Sequence, residues 1–187
     1  TALGYFAMAA NTTGDKNTAV GAMTLDANTT TGSHTAIGYG ALGANTTGAQ
    51  QTAVGAYALS ANTTGTQNIA IGWGALNANT TSDYCTAVGF AALYVQTGSG
   101  GSNNAFGRYS LYENTSGTAN CGYGNNSLEK NTTGSGNTGL GHYALNLNTT
   151  GTDLTAVGRG SLSSNTTGIH NTAVGRNALT SCTTADQ

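Results

Sequence analysis

Between Asn17 and Gly65 the chain states one phrase three times: TAVG or TAIG, then a leucine, then ANTT. Counting the threonine of TAVG as the first place, units begin at Thr1, Thr18, Thr35, Thr52, Ile69, Thr86, Asn104, Cys121, Thr138, Thr155 and Thr172. The step is 17 residues except from Thr86 to Asn104, where it is 18. The extra residue lies in the glycine-serine run at 97–103, which can absorb it as a loop. Read down the units, the third place is always bulky and mostly β-branched or aromatic. The fourth is always glycine, and the eighth is Met8 followed by ten leucines. The second and seventh places are small. The eleventh is asparagine except at Gln96 and Cys182, and the twelfth is always threonine. A fixed period of this kind decides the fold before any single residue does.

A 17-residue unit is too short for helical-hairpin repeats, which need more than about 30 residues. Its glycine, threonine and asparagine are poor helix formers. TAVG has β character. NTTG is turn chemistry, because asparagine caps its own backbone and glycine permits positive φ. The expected fold is therefore all-β: a parallel β-solenoid of eleven 17-residue coils spanning 1–187 as a single repeat domain. Each coil is expected to hold two short strands, around places 1–4 and 6–10. At a spacing of ~4.8 Å per coil the rod is roughly 50 Å long. The expected core consists of two facing columns, Val20, Ile37, Val54, Ile71 and Val88 against Leu25, Leu42, Leu59, Leu76 and Leu93. By strand alternation the second and fourth places then point outward. They leave a face almost without side chains, which includes Ala53, Gly55, Ala70 and Gly72. Two large side chains per coil make a thin core, so this smooth face is expected to pack on other chains.

Charged residues are 6% of the chain, against about a quarter in ordinary soluble domains. So little charge with few large hydrophobes could mean disorder, but a disordered chain needs no hydrophobe at a fixed place in every unit. A net charge of −2 with five basic residues gives no footprint for nucleic acid. No apolar run approaches the roughly 20 residues of a membrane helix, so no membrane insertion is expected. The opening TALG already lies inside the repeat and no leader precedes it. The stretch reads as a segment of a longer chain with its targeting signals elsewhere.

The phrase NTAVG..AL..NTTG..N resembles the repeats of phage tail-fibre and related surface-fibre proteins. Many of those carry a C-terminal self-cleaving chaperone domain. It is similar, more distantly, to the head repeats of trimeric autotransporter adhesins, which are left-handed parallel β-rolls of three chains. The resemblance runs from Thr1 to about Thr184. It implies a left-handed β-roll, a homotrimer, and an extracellular, cell-surface or virion location. The chain departs from the adhesin pattern in its longer unit, whose extra residues lie in the NTTG turn.

Each motif has a bland reading beside the functional one. Asn11, Asn28, Asn45, Asn62, Asn79, Asn114, Asn131, Asn148 and Asn165 open N-glycosylation signals. A hydrogen-bonded turn with an asparagine ladder would give the same register and is preferred. Threonine columns raise ice binding, but the doubled column at places 12 and 13 is T-T, whose neighbours point opposite ways. Cys85, Cys121 and Cys182 fall in different columns, and His34, His142 and His170 are scattered. The acids do not repeat in register as a calcium-binding solenoid would demand. No catalytic residue, metal set or cofactor is expected, and the chain is not expected to be an enzyme.

The fifth and sixth places vary, and they hold eight of the thirteen aromatic residues. Tyr5, Tyr39, Tyr57, Trp73, Phe90, Arg108, Tyr109 and Tyr143 form a candidate contact stripe for a surface glycan or receptor. The preferred alternative is that these rings cover the bend and pack on each other. The leading expectation is a structural shaft or adhesin segment of an extracellular or virion fibre. The alternatives are a ligand-binding solenoid, for ice or carbohydrate, and a subunit of an end-to-end surface filament. Self-association, as a homotrimer or a filament, is the expected partnership.

Overall fold

The computed structural model describes residues 1–98 and 100–184. The chain is a parallel β-solenoid with one strand per coil. The strands are β1 (Ala2–Leu3), β2 (Thr18–Val20), β3 (Thr35–Ile37), β4 (Thr52–Val54), β5 (Ile69–Ile71) and β6 (Thr86–Val88). They continue as β7 (Asn104–Phe106), β8 (Cys121–Tyr123), β9 (Thr138–Leu140), β10 (Thr155–Val157) and β11 (Thr172–Val174). They form one 11-stranded sheet in sequence order. Equivalent places pair: Thr18 with Thr35, Ala19 with Ala36, Val20 with Ile37. The register survives the insertion, where Thr86 pairs with Asn104. No helix among the described residues is long and apolar enough to cross a membrane.

The second strand expected at places 6–10 is not there; the chain turns instead. Its φ is positive at the sixth place, as at Met23 (55°) and Tyr57 (59°), and again at the eighth, as at Leu25 (51°) and Leu76 (50°). Left-handed residues cannot continue a pleated strand. They still bond to the neighbouring coils, Leu76 N–H donating to Ala92 O at 3.0 Å and Tyr57 N–H to Tyr39 O at 2.9 Å. The backbone ladder thus continues round the coil without a second sheet.

At the fourth-place glycine the coils come very close. At Gly72 φ is +131°, and an added Cβ would lie 2.4 Å from Gly89 O. Gly55 stands in the same relation to Gly72, with 2.5 Å to its carbonyl oxygen. Only glycine combines this φ with this approach.

The interior has an apolar half and an amide half. The apolar half is built from second-place alanines (Ala19, Ala36, Ala53, Ala70, Ala87), seventh-place alanines (Ala41, Ala58, Ala75, Ala92) and the leucines Leu25, Leu42, Leu59, Leu76 and Leu93, all 0% exposed. This corrects the expected core. The leucine column is inside, but Val20, Val54 and Val88 are only half-buried, and Ile37 and Ile71 are 38% and 40% exposed. Alternation along the strand holds with the opposite sense. One leucine between two alanines already fills so narrow a coil, so the larger β-branched side chain is turned out. Ala53 and Ala70 are therefore core residues and not an outward smooth face.

The amide half consists of two hydrogen-bonded ladders. At the eleventh place, Asn62 Nδ2 donates to Asn45 Oδ1 at 3.0 Å and to Gly65 O at 3.1 Å, and Asn79 Nδ2 donates to Asn62 Oδ1 at 3.0 Å. The second ladder runs at the seventeenth place, which the sequence reading passed over. There Asn120 N–H donates to Asn103 Oδ1 at 2.9 Å, and Asn120 Nδ2 donates to Gly134 O at 2.8 Å. These bonds satisfy most of the buried amide groups, as burial demands, and Asn165 Oδ1 near the C-terminal end is the exception. Gln96 occupies the eleventh place in the coil with the extra residue. Its longer side chain reaches Gly100 O, four residues on, where each asparagine reaches three, and its Oε1 accepts from Asn114 Nδ2 at 2.6 Å.

His34 sits in the second ladder, almost fully buried. Its Nδ1 accepts from Gln51 N–H at 3.3 Å, which leaves the ring proton on Nε2, 3.1 Å from Thr31 Oγ1. Burial lowers its pKa from 6.5 to about 4. The unfolded chain takes up this proton at higher pH than the folded one, so stability is full above pH 6.5 and falls as the pH drops toward 4. His34→Asn restores the residue most common at this place. It should flatten that part of the melting-temperature profile between pH 7 and 4. An unchanged slope would show that the histidine is not its source.

Candidate functional site

Two lateral surfaces are open to a partner. The first is the outward face of the sheet, where places 1 and 3 project side by side. It presents a column of mostly threonine (Thr18, Thr35, Thr52) beside a column of valine and isoleucine (Val20, Ile37, Val54). Phe106 and Tyr123 extend the second column as stacked rings 4.4 Å apart. Its backbone is one parallel sheet in register, and it carries no charged residue in any strand.

The second surface is the bend at places 5 and 6. Tyr39 meets Tyr57 edge-on at 5.3 Å, Tyr57 meets Trp73 at 6.4 Å, and Trp73 stacks on Phe90 at 4.9 Å and 13°. Phe90 meets Tyr109 at 5.6 Å, and the Arg108 guanidinium lies 4.2 Å from the Tyr109 ring centroid. Two ninth-place rings that sequence reasoning missed complete the array. Tyr94 stacks on Trp73 at 6.2 Å and on Tyr112 at 5.4 Å. The structure thus joins Tyr39, Tyr57, Trp73, Phe90, Arg108 and Tyr109 into one stripe. Tyr5 and Tyr143 stand apart from it, Tyr5 against Phe6 at 4.4 Å and Tyr143 against His142 at 4.1 Å. A sugar-binding platform needs a free ring face. Trp73 has rings stacked against it, so the stripe works first as a brace between coils.

The glycosylation reading is corrected. Asn28, Asn45, Asn62, Asn79, Asn114, Asn131, Asn148 and Asn165 are 0% exposed, and their amides are engaged in the ladder. Asn11 is only partly exposed, and its Nδ2 donates to Gly14 O at 3.0 Å. A glycan on any of the eight buried nitrogens has no room in the folded coil. Cys85 is buried in the second ladder, where burial pushes its thiol up to about 11, away from nucleophilic reactivity.

No protein-family model, curated protein or solved structure matches the chain.

Proposed function

We propose that this chain is a stiff shaft segment of an extracellular fibre, on a virion or a cell surface, whose rods associate side by side. The observation that carries this reading is the in-register stacking of eleven near-identical coils. What such repetition produces is length with a constant cross-section. The resemblance of the repeats to tail-fibre and adhesin phrases supports the same reading, and catalysis has no part in it.

The association surface follows from the corrected orientation. Alanine and glycine cannot supply it, because Ala53 and Ala70 are interior. The outward threonine-valine face can: it is uncharged, apolar along one column and repeated from coil to coil. Val54→Lys with Ile71→Lys places two charges on that face without entering the core. The variant is expected to keep its β-sheet circular dichroism and lose assembly, measured by light scattering. Retained assembly would exclude the face.

One observation favours a second reading. Threonine and valine in two parallel rows, repeating at ~4.8 Å, are also a surface on which ordered water could be matched. The T-T objection from places 12 and 13 does not apply to places 1 and 3. Thermal hysteresis of the parent chain separates the two: the shaft reading expects none.

A further inference from the structure

We infer that the bend at Tyr143, Arg159, Gly160, Ser163, Arg176 and Asn177 is a binding subsite for the anionic group of an acidic sugar. The six residues line a hollow of about 230 Å³. The repeat explains why it opens there. Place 6 holds Tyr143, Gly160 and Asn177 in three successive coils; at Gly160 the absent side chain lets the Asn177 amide lie close, its Oδ1 2.6 Å from where a Cβ would stand, and keeps the hollow open between that amide and the Tyr143 ring. Place 5 of the two later coils holds Arg159 and Arg176, both exposed. The chain has five basic residues, and all three arginines lie in this one column.

The two guanidinium groups come from adjacent coils, whose backbones are ~4.8 Å apart. Among the described residues the ion pairs are Lys130 with Glu113 and Glu129, and His170 with Asp153. Among these residues no carboxylate pairs with Arg159 or Arg176. Both are therefore available to an oxyanion, and guanidinium forks grip carboxylate and sulfate alike. The remaining wall offers a sugar the Tyr143 ring, one side of which stacks on His142 at 4.1 Å, and Ser163 and Asn177 for hydroxyls. The volume fits a single sugar unit, below the usual range for larger ligands. This subsite is independent of the strand face, so it can be tested whether or not the rods associate.

The test is titration of the isotope-labelled chain, followed by NMR, with glucuronic acid, a monosulfated galactose, neutral galactose and inorganic sulfate. The expected result is saturable shifts at Tyr143, Ser163 and Asn177 with one or both acidic sugars and none with the neutral one. Arg159→Gln and Arg176→Gln should each weaken binding about tenfold or more. Both are surface changes, and unchanged circular dichroism would confirm the fold. Gly160→Asn should also abolish binding by filling the hollow once the Asn177 amide, 2.6 Å from the new Cβ, has swung aside. Asparagine already occupies place 6 at Asn126 and Asn177 with φ of 58° and 57°, close to the 67° of Gly160. The two acidic sugars distinguish a carboxylate from a sulfate specificity. Inorganic sulfate binding as tightly as either sugar would overturn the saccharide assignment, and no response to any anion would overturn the site.

Discussion

Gly72→Ala is expected to destabilise the rod by roughly 3 kcal/mol or more, the combined effect of a strained backbone and a steric clash. The new methyl would sit 2.4 Å from Gly89 O and 2.7 Å from Gly89 C, at a φ of +131°. Neither neighbour is a flexible side-chain end, so relief requires the two coils to move apart. Separation would stretch the ladder bonds across this interface, including Gly89 N–H to Ile71 O at 2.8 Å. Gly175→Ala supplies the control. It has a similar φ of +127°, but its nearest contact would be Ala178 Cβ at 3.9 Å. The difference between the two variants in urea unfolding isolates the clash from the strain. Equal, small losses would mean that the coils are not in contact along this column.

Leu76→Asn should cost roughly 2–5 kcal/mol, because it exchanges a fully buried leucine for an amide on the apolar half of the interior. Asparagine tolerates the left-handed backbone at this place better than leucine does, which returns at most about 1 kcal/mol. The loss of burial therefore dominates. Asn77→Ala, one residue on, removes a half-buried amide whose Nδ2 donates to Ser60 Oγ at 2.8 Å and Tyr57 O at 3.2 Å. It should cost no more than about 1 kcal/mol. Equal melting temperatures for the two variants would place the leucine column outside.

These expectations show what the sequence made legible. The period alone located every strand, because parallel coils need equivalent residues one above the next; β2 to β11 each start at the first place of a unit. The leucine column was readable as core from its constancy. The sense of alternation was not. Assigning the larger of Ala53 and Val54 to the interior assumes space that a coil this narrow lacks. The left-handed turns at Leu25 and Leu76 leave no signal either, since leucine does not favour that region. The amide column at Asn68, Asn103, Asn120 and Asn137 was visible as a recurring residue type, and only the interruptions by His34, Gln51, Cys85 and Leu154 obscured it. In the stripe, Trp73 and Phe90 were legible, whereas Tyr94 and Tyr112 join it from a different place in the unit, Tyr94 through Trp73 of the coil before and Tyr112 through Tyr94.

Sedimentation of the parent chain tests the central claim, that this is a rod built to lie against other rods. Analytical ultracentrifugation at micromolar concentration should give an elongated oligomer of defined mass, and Val54→Lys with Ile71→Lys should return it to a folded monomer. A parent chain that stays monomeric with native β-sheet circular dichroism would contradict it.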